Sequence, residues 1–262
     1  MQSSANSPFI SVVGLGQLKS EHPSKKGKWA SLIMGVLGAV AAPLFLLLAL
    51  WLGYDAYTRH GLVRVGDAVV IPLIIAAVAL VIGVLALWEA WRAWPLAAVL
   101  YEDGFALNTR KGLQQVRWDQ ISAVWQSVTK HYYNGIYTGT THLYTVQTKD
   151  KAKIALNDRL NKIEDLGRGV QQGASNALFP IYVQALQSGQ RLSFGPLGVD
   201  AQKLYSGKKE LPWSEIKAVK IQKGVISIKK EKGWFSWASV TVPQVPNFFI
   251  FLEIISRLTK VE

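Results

Sequence analysis

Two long stretches without a charged residue constrain the fold of this chain more than any other feature. The first runs from Trp29 to Leu52 and the second from Ala68 to Trp88. A helix needs about 20 apolar residues to cross about 30 Å of hydrocarbon, and both stretches reach that length. Two buried helices of a soluble core would each carry a polar stripe, and neither stretch has one. The sequence therefore predicts transmembrane helices at residues 29–53 and 68–94, joined by a short extracytoplasmic loop at residues 54–67.

The charges that flank these stretches predict the orientation. The chain has a net charge of +12, and the 28 residues before the first stretch carry four lysines against one glutamate. Residues 29–96 are neutral, whereas residues 97–262 carry 22 Lys and Arg against 13 Asp and Glu, a net charge of +9. By the positive-inside rule both termini face the cytoplasm, in an inner membrane. Residues 1–28, rich in Ser, Asn, Pro and Lys, are expected to form a basic, mostly disordered tail.

The residue types needed for common catalytic sites are absent or badly spaced. The chain has no cysteine, which excludes disulfides and thiolate chemistry. After residue 96 only His131 and His142 remain as histidines, and their spacing matches no common zinc site. There is no phosphate-binding G-x-x-x-x-G-K-[ST] loop and no G-x-S-x-G nucleophile elbow. We therefore expect a protein that is not an enzyme and that has no metal or cofactor.

The part of the chain after residue 96 predicts strands and helices in the same order twice. Short alternating segments predict strands, and an apolar pattern of period three to four over residues 163–186 then predicts a helix that Pro180 kinks or interrupts. Strands resume at Arg191 and end in the apolar segment NFFIFLEIISRL, a second helix. The phrase Trp-x-x-Ile-x-Ala-Val also occurs twice at a constant offset. The sequence thus predicts a duplicated module, with units at residues 97–189 and 190–262 whose equivalent positions are Trp118, Ile121, Trp213 and Ile216.

Seven short motifs are spread over most of the chain: LGQLK, VLYEDGFAL, RWDQISAVW, NGIYTGTTHLYTV, FGPLGV, LPWSEIKAV and VPNFF. Together they resemble an uncharacterised bacterial family of two-span membrane proteins with pleckstrin-homology-like (PH-like) cytoplasmic domains. The resemblance implies a mostly-β tandem module after two transmembrane α-helices. Each unit would be a bent antiparallel sheet, or partly open barrel, closed by a C-terminal helix. It implies no known activity. In such a fold the two tryptophans pack in the core, the alternative being that they contact a ligand.

Two groups of basic residues are candidate contacts for an anionic surface. In the first unit they flank the turn between the first two predicted strands, and in the second unit they occupy the corresponding turn. They are Arg110, Lys111, Arg117, Lys203, Lys208 and Lys209. Phosphoinositide-binding PH domains use this turn to grip phosphates, and each Lys or Arg near an anionic membrane contributes about 1 kcal/mol. The alternative interpretation is an ordinary solvated face.

A tyrosine-rich segment is the other candidate site. Tyr132, Tyr133 and Tyr137 surround the Asn134-Gly135 pair, a strong signal for a hairpin turn. They form either a binding lip at the mouth of the barrel or a cross-strand aromatic ladder on a hairpin.

These features favour a non-enzymatic integral membrane protein. It would present a basic tandem PH-like module at the cytoplasmic surface for binding anionic lipid headgroups or an unknown protein partner. The alternative is a structural or scaffolding subunit that binds its partner through the two predicted spans or through the last helix. In the second case the residues expected to be partly exposed are Phe248, Phe249, Phe251, Ile254 and Leu258. Lysine outnumbers arginine and the aromatic residues do not alternate with arginines, which argues against nucleic acid as the partner.

Overall fold

The structure is a computed structural model, and it describes residues 14–25 and 27–261. The chain divides into two compact units. One is a helical pair within residues 24–96, and the other is a β unit that contains the described residues up to Pro23 together with residues 97–261.

The helical pair consists of α1 (Gly27–His60) and α2 (Val65–Ala93). Both helices are long and apolar enough to cross a membrane, as the sequence predicts. The predicted loop at residues 54–67 is shorter than expected, because α1 continues to His60 and only Gly61 and a 3₁₀ turn (Leu62–Arg64) separate the helices. The last turns of α1 contain no helix breaker, and an ion pair of 2.8 Å joins Arg59 Nε to Asp55 Oδ1 one turn away. Gly61, with φ +71°, then ends the helix.

Small residues lie where the two helices touch. A Cβ added to Gly38 would lie 2.6 Å from the Cα of Gly83, so only glycine permits this approach of the backbones. The opposite faces carry large apolar side chains that nothing within the unit covers, among them Leu50 (71% exposed) and Ile71 (67% exposed). Exposed apolar faces of this extent are typical of helices that face lipid.

The β unit contains four antiparallel sheets and two helices. The first part has a four-stranded sheet, a three-stranded sheet and a helix: β1 (Leu18–Pro23), β2 (Ala97–Tyr101), β3 (Gly104–Thr109), β4 (Gly112–Arg117), β5 (Ile121–Tyr133), β6 (Ile136–Thr148), β7 (Lys153–Asn157) and α3 (Ile163–Gln187). The second part repeats this order: β8 (Leu192–Phe194), β9 (Leu197–Val199), β10 (Lys203–Ser206), β11 (Lys209–Pro212), β12 (Ile216–Gln222), β13 (Val225–Lys230), β14 (Ser236–Thr241) and α4 (Phe248–Ser256). None of the sheets formed by the described residues closes into a barrel.

Strand β1 corrects the prediction of a disordered tail. Residues 18–23 pair antiparallel with β2, and Pro23 lies opposite Ala97. The tail histidine His22 is buried, with Nδ1 3.0 Å from the carbonyl oxygen of Asn161. The sequence did not reveal this strand because its residues are mostly polar and its partner lies more than 70 residues along the chain. The helical pair is therefore inserted between two neighbouring strands of one sheet. Residues 1–13 lie outside the described part of the chain.

Helix α3 packs against the sheets through glycines. A Cβ on Gly167 would lie 2.2 Å from the ring of Tyr144, and one on Gly173 would lie 2.4 Å from the indole of Trp118. The helix has the predicted extent but is not interrupted at Pro180, which lies inside it. Both Pro180 and Asn176, one turn earlier, are exposed, so water can hydrogen-bond the carbonyl group that loses its helical donor.

Candidate functional site

The first predicted basic group is divided in the structure. Arg110 and Lys111 form the turn between β3 and β4, which we call the first basic turn. Arg117 lies at the other end of β4, opposite Gly104, about 17 Å away at 3.4 Å per residue. Its Nε is 3.2 Å from Asp119 Oδ1, so a neighbouring carboxylate offsets its charge. Arg110 and Lys111 therefore remain together without Arg117.

The second predicted basic group is divided in the same way. Lys208 and Lys209 are exposed at the turn between β10 and β11, the second basic turn. Lys203 lies at the other end of β10, and its Nζ is 3.2 Å from Glu210 Oε1. Each turn thus presents two neighbouring cationic residues, fewer than the three that the sequence indicated.

The predicted tyrosines lie at the end of a two-stranded extension. Strands β5 and β6 pair over 13 residues each, but β7 pairs with β6 only between residues 143 and 147. Beyond β7, Tyr132, Tyr133 and Tyr137 are 61%, 71% and 55% exposed. Tyr132 and Tyr137 are cross-strand partners whose ring centroids are 5.9 Å apart. The tyrosines therefore lie at the tip of a hairpin and not at the mouth of a barrel, and one pair has the geometry of an aromatic ladder.

Trp118 and Trp213 make matching hydrogen bonds. Trp118 Nε1 donates to the carbonyl of Glu102 at 2.6 Å, and Trp213 Nε1 donates to the carbonyl of Asp200 at 3.0 Å. Each tryptophan begins a 3₁₀ turn before the next strand. Both indoles are half-buried, whereas Ile121 and Ile216 are buried. Each indole N–H is thus satisfied by a backbone carbonyl, and neither ring is fully buried.

Asn247 is a residue that sequence reasoning missed. It lies just before α4 at φ +51°, is 6% exposed and contacts the edge of β5. Its backbone N–H donates to the Val124 carbonyl at 2.8 Å, and its Oδ1 accepts from the Val124 N–H at 2.9 Å. Its Nδ2 donates to the carbonyl of Ser122 and to Tyr182 Oη, at 3.1 and 3.0 Å. The only signal in the sequence is an Asn after Pro at a helix start, which indicates a turn but not a long-range contact.

A second buried histidine of the β unit, His142, joins β6 to the start of α3. His142 Nδ1 is 3.1 Å from Asp158 Oδ1, and its Nε2 is 3.1 Å from Glu164 Oε1. The carboxylates lie against opposite nitrogens of the ring, so the three side chains do not converge on one point. No group of His, Asp and Glu residues in the described part of the chain is arranged to hold a metal ion.

A second polar network stabilises a turn. Tyr205 Oη donates to Asp200 Oδ2 at 2.6 Å, while Asp200 Oδ1 accepts the backbone N–H groups of Gln202 and Lys203. Burial alone would raise the pKa of Asp200, but these hydrogen bonds outweigh it and hold that pKa below its usual value. The hydrogen bond to the carboxylate raises the pKa of Tyr205. The guanidinium of Arg191 lies 3.8 Å from the Tyr205 ring centroid. The network fixes the turn before β10.

The last helix is mainly internal. Phe248, Phe251 and Ile254 are 7%, 0% and 3% exposed, whereas Leu258 is half-buried and Phe249 is 44% exposed. Phe249 lines a groove of about 700 Å³ between α3 and α4. The scaffolding alternative required all five residues to be partly exposed, but three of them pack inside the β unit.

Sequence reasoning also missed a pair of exposed aromatic residues. Trp234 is 100% exposed and Phe235 is 89% exposed, in the loop between β13 and β14. They are the two most exposed large apolar side chains of the described β unit. The sequence KEKGWFSW carries a signal, since it places two adjacent aromatic residues after lysines and a glycine, outside any alternating pattern.

The comparisons with known proteins give one result. No curated protein matches this sequence. A family model matches residues 7–262, which includes the helical pair and the whole described β unit. The chain therefore belongs to DUF6585, a family of unknown function.

Proposed function

We propose that this chain is a non-enzymatic integral membrane protein that presents its β unit at the cytoplasmic membrane surface to bind anionic lipid headgroups. The observation that carries the proposal is the pair of long apolar helices. No other part of the helical pair covers their outward faces. Water would not stabilise so large an apolar surface, whereas a bilayer would. The β unit is strongly basic, with a net charge of +9 over residues 97–262.

The β unit is proposed to be two PH-like modules that arose by duplication. In support, each part has a four-stranded sheet, a three-stranded sheet and a helix in the same order. Trp118 and Trp213 also make the same kinds of hydrogen bond, 95 residues apart. In addition, Val124 and Val219, at the same offset, both pair with segments outside their own sheet. The first module would then contain the helical pair as an insertion after its first strand.

The two basic turns are the proposed lipid contacts. Arg110 and Lys111 lie together at one turn, and Lys208 and Lys209 lie together at the other. Four cationic side chains held near an anionic surface would each contribute about 1 kcal/mol at low salt, enough to keep a tethered module against the bilayer. Salt screens this attraction, since the Debye length is about 8 Å at physiological ionic strength.

The experiment uses the full chain in lipid vesicles. Because the chain has no cysteine, a single Gln114→Cys substitution on exposed β4 gives one site for a donor dye, and the lipid headgroups carry the acceptor. We expect energy transfer to be higher in anionic than in neutral vesicles and to fall as salt rises. Replacing Arg110, Lys111, Lys208 and Lys209 with Glu should make energy transfer in anionic vesicles equal to that in neutral vesicles.

The matched control reverses four other exposed lysines and so changes the net charge by the same amount. They are Lys149, Lys151, Lys162 and Lys223. An equal loss of energy transfer in both variants would mean that overall charge, and not the basic turns, governs the contact. A chain that alkaline carbonate extracts from the vesicles would contradict the transmembrane part of the proposal.

A structural or scaffolding subunit remains the second candidate, and one observation favours it. The groove between α3 and α4 is lined by Phe179, Phe249 and Leu252 and has a volume of about 700 Å³, large enough for apolar side chains of a partner. If the basic turns make no lipid contact, a Phe249→Glu variant would test this groove by its effect on the size of the complex recovered from native membranes.

A further inference from the structure

The loop between β13 and β14 exposes apolar surface that the fold does not use. We call residues 231–235 the Trp–Phe loop. A side chain that is 100% exposed, as Trp234 is, packs against nothing in the described part of the chain, and Phe235 is nearly as exposed. Each large aromatic residue offers about 150–250 Å² for burial, so the pair presents roughly 400 Å² of unburied surface. Burying that surface at about 25 cal/mol per Å² would be strongly favourable.

The base of the loop is fixed while its tip projects. The Glu231 N–H donates to the Glu215 carbonyl at 2.9 Å, and Ser236, just after the tip, pairs with Lys229 in the neighbouring strand. Gly233 has φ +155°, a conformation that side-chain-bearing residues rarely adopt. The aromatic pair is thus held out on a short, anchored loop.

Lysines lie at the base of the loop in sequence and in strand register. Lys217, Lys229, Lys230 and Lys232 lie on the loop or on the strand ends next to it, against Glu215 and Glu231. These four lysines and two glutamates give the region a net charge of +2. One of the lysines is paired, since Lys230 Nζ is 3.8 Å from Glu215 Oε2. Exposed aromatic residues next to lysines suit an anionic bilayer surface. Indole rings prefer the headgroup region, and lysines are attracted to the lipid phosphates.

The size of the tip favours lipid over a protein partner. A specific protein interface buries about 800 Å² on each side, about twice what two side chains supply, and it needs a surrounding complementary surface. Insertion into a bilayer needs only a projecting apolar tip. We propose that the Trp–Phe loop inserts Trp234 and Phe235 into the interfacial region of an anionic bilayer. The inference rests on the proposed function in that the membrane helices keep the β unit near such a surface.

The test reads the environment of the loop in the full chain. Ser236→Cys, exposed beside the tip, carries an environment-sensitive nitrobenzoxadiazole dye and leaves both aromatic residues in place. A second labelled chain, Gln222→Cys, places the same dye at the opposite end of the β12–β13 hairpin. We expect the emission of the dye at position 236, but not at 222, to rise and shift to the blue in phosphatidylglycerol vesicles relative to phosphatidylcholine vesicles. Lipids with a quencher on the acyl chain should quench it.

Two variants then separate the apolar and electrostatic contributions. Trp234→Ser with Phe235→Ser should abolish the emission rise at position 236 without lowering the melting temperature, because both side chains are exposed. Lys232→Glu changes the charge by two, and at about fivefold per charge it should lower the equilibrium constant for insertion of the loop by more than tenfold at low salt.

Each outcome separates this inference from the proposed function. Carbonate washing of the same vesicles reports on the membrane helices, whereas the dye reports on the loop. Loop insertion alone would be overturned if the chain stays in the vesicles after washing and the dye emission at position 236 does not rise. A rise in that emission that persists after both aromatic residues are replaced would have the same meaning. A rise at position 236 in a chain that carbonate removes would support the loop and overturn the transmembrane proposal. Equal rises at positions 222 and 236 would overturn the inference, since the contact would not belong to the loop.

Discussion

At the scale of single residues, Asn247 makes the contact between the two parts of the β unit that is easiest to test. Asn247→Ala would leave the Val124 N–H and the Ser122 carbonyl without their side-chain partners in a buried place. A buried polar group without a partner costs about 1–3 kcal/mol, so we expect a loss of roughly 2–4 kcal/mol in the free energy of unfolding. Alanine is also disfavoured at φ +51°, which adds to the loss. Denaturant unfolding of the full chain in micelles, followed by circular dichroism, measures the change.

Asn176→Ala is the matched control for this prediction. Asn176 is exposed on α3, so its replacement should change the free energy of unfolding by no more than about 0.5 kcal/mol. Equal effects of the two substitutions would show that Asn247 does not join the parts as described.

At the scale of elements, glycines decide how closely α1 and α2 pack. Gly83→Leu should push α1 and α2 apart, because a Cβ at this position would already lie 3.1 Å from the backbone of Gly38. Overpacking of this kind costs about 1–3 kcal/mol. The variant in micelles would be heated to a series of temperatures and then run on a size-exclusion column. We expect the single elution peak to disappear at a lower temperature than for the original chain. Gly66→Leu, in the same helix but with open space around it, should leave that temperature unchanged. A similar decrease in both variants would contradict a close contact at Gly83.

At the scale of the whole molecule, the insertion of the helical pair predicts which soluble form of the β unit folds. Pro23 and Ala97 lie opposite each other at the ends of β1 and β2. An Asn-Gly turn in place of residues 24–96 can therefore close the two strands into a hairpin. We expect this shortened chain to be soluble and to unfold cooperatively on heating.

A fragment that begins at residue 97 is the informative comparison. It lacks β1, so the edge of β2 loses its strand partner and the Asn161 N–H loses the Pro23 carbonyl. The buried residues Ala98 and Val99 would then lie in an unprotected edge strand, which favours aggregation. Its melting temperature should be lower than that of the chain with the turn. Equal melting temperatures would mean that β1 contributes nothing to stability.

The basic residues and the Trp–Phe loop show how much of the candidate site the sequence could predict. Lys111 and Lys208 were predicted at turns and lie there, because glycine and charged residues signal turns locally. Arg117 and Lys203 were grouped with them by closeness in sequence, yet each lies at the far end of its hairpin. The Trp–Phe loop was missed because exposure depends on which neighbours the fold provides.

The sequence by itself determined the two apolar helices, the buried Ile121 and Ile216, and helix α3, because each depends on a local pattern of apolar residues. Only the tertiary structure decided that β1 completes a sheet across the inserted helical pair and that the C-terminal helix is mainly buried. It also decided that Asn247 caps a distant strand edge. These features depend on pairing between segments far apart in the chain. Local composition does not indicate which distant backbone group a hydrogen-bond donor will contact.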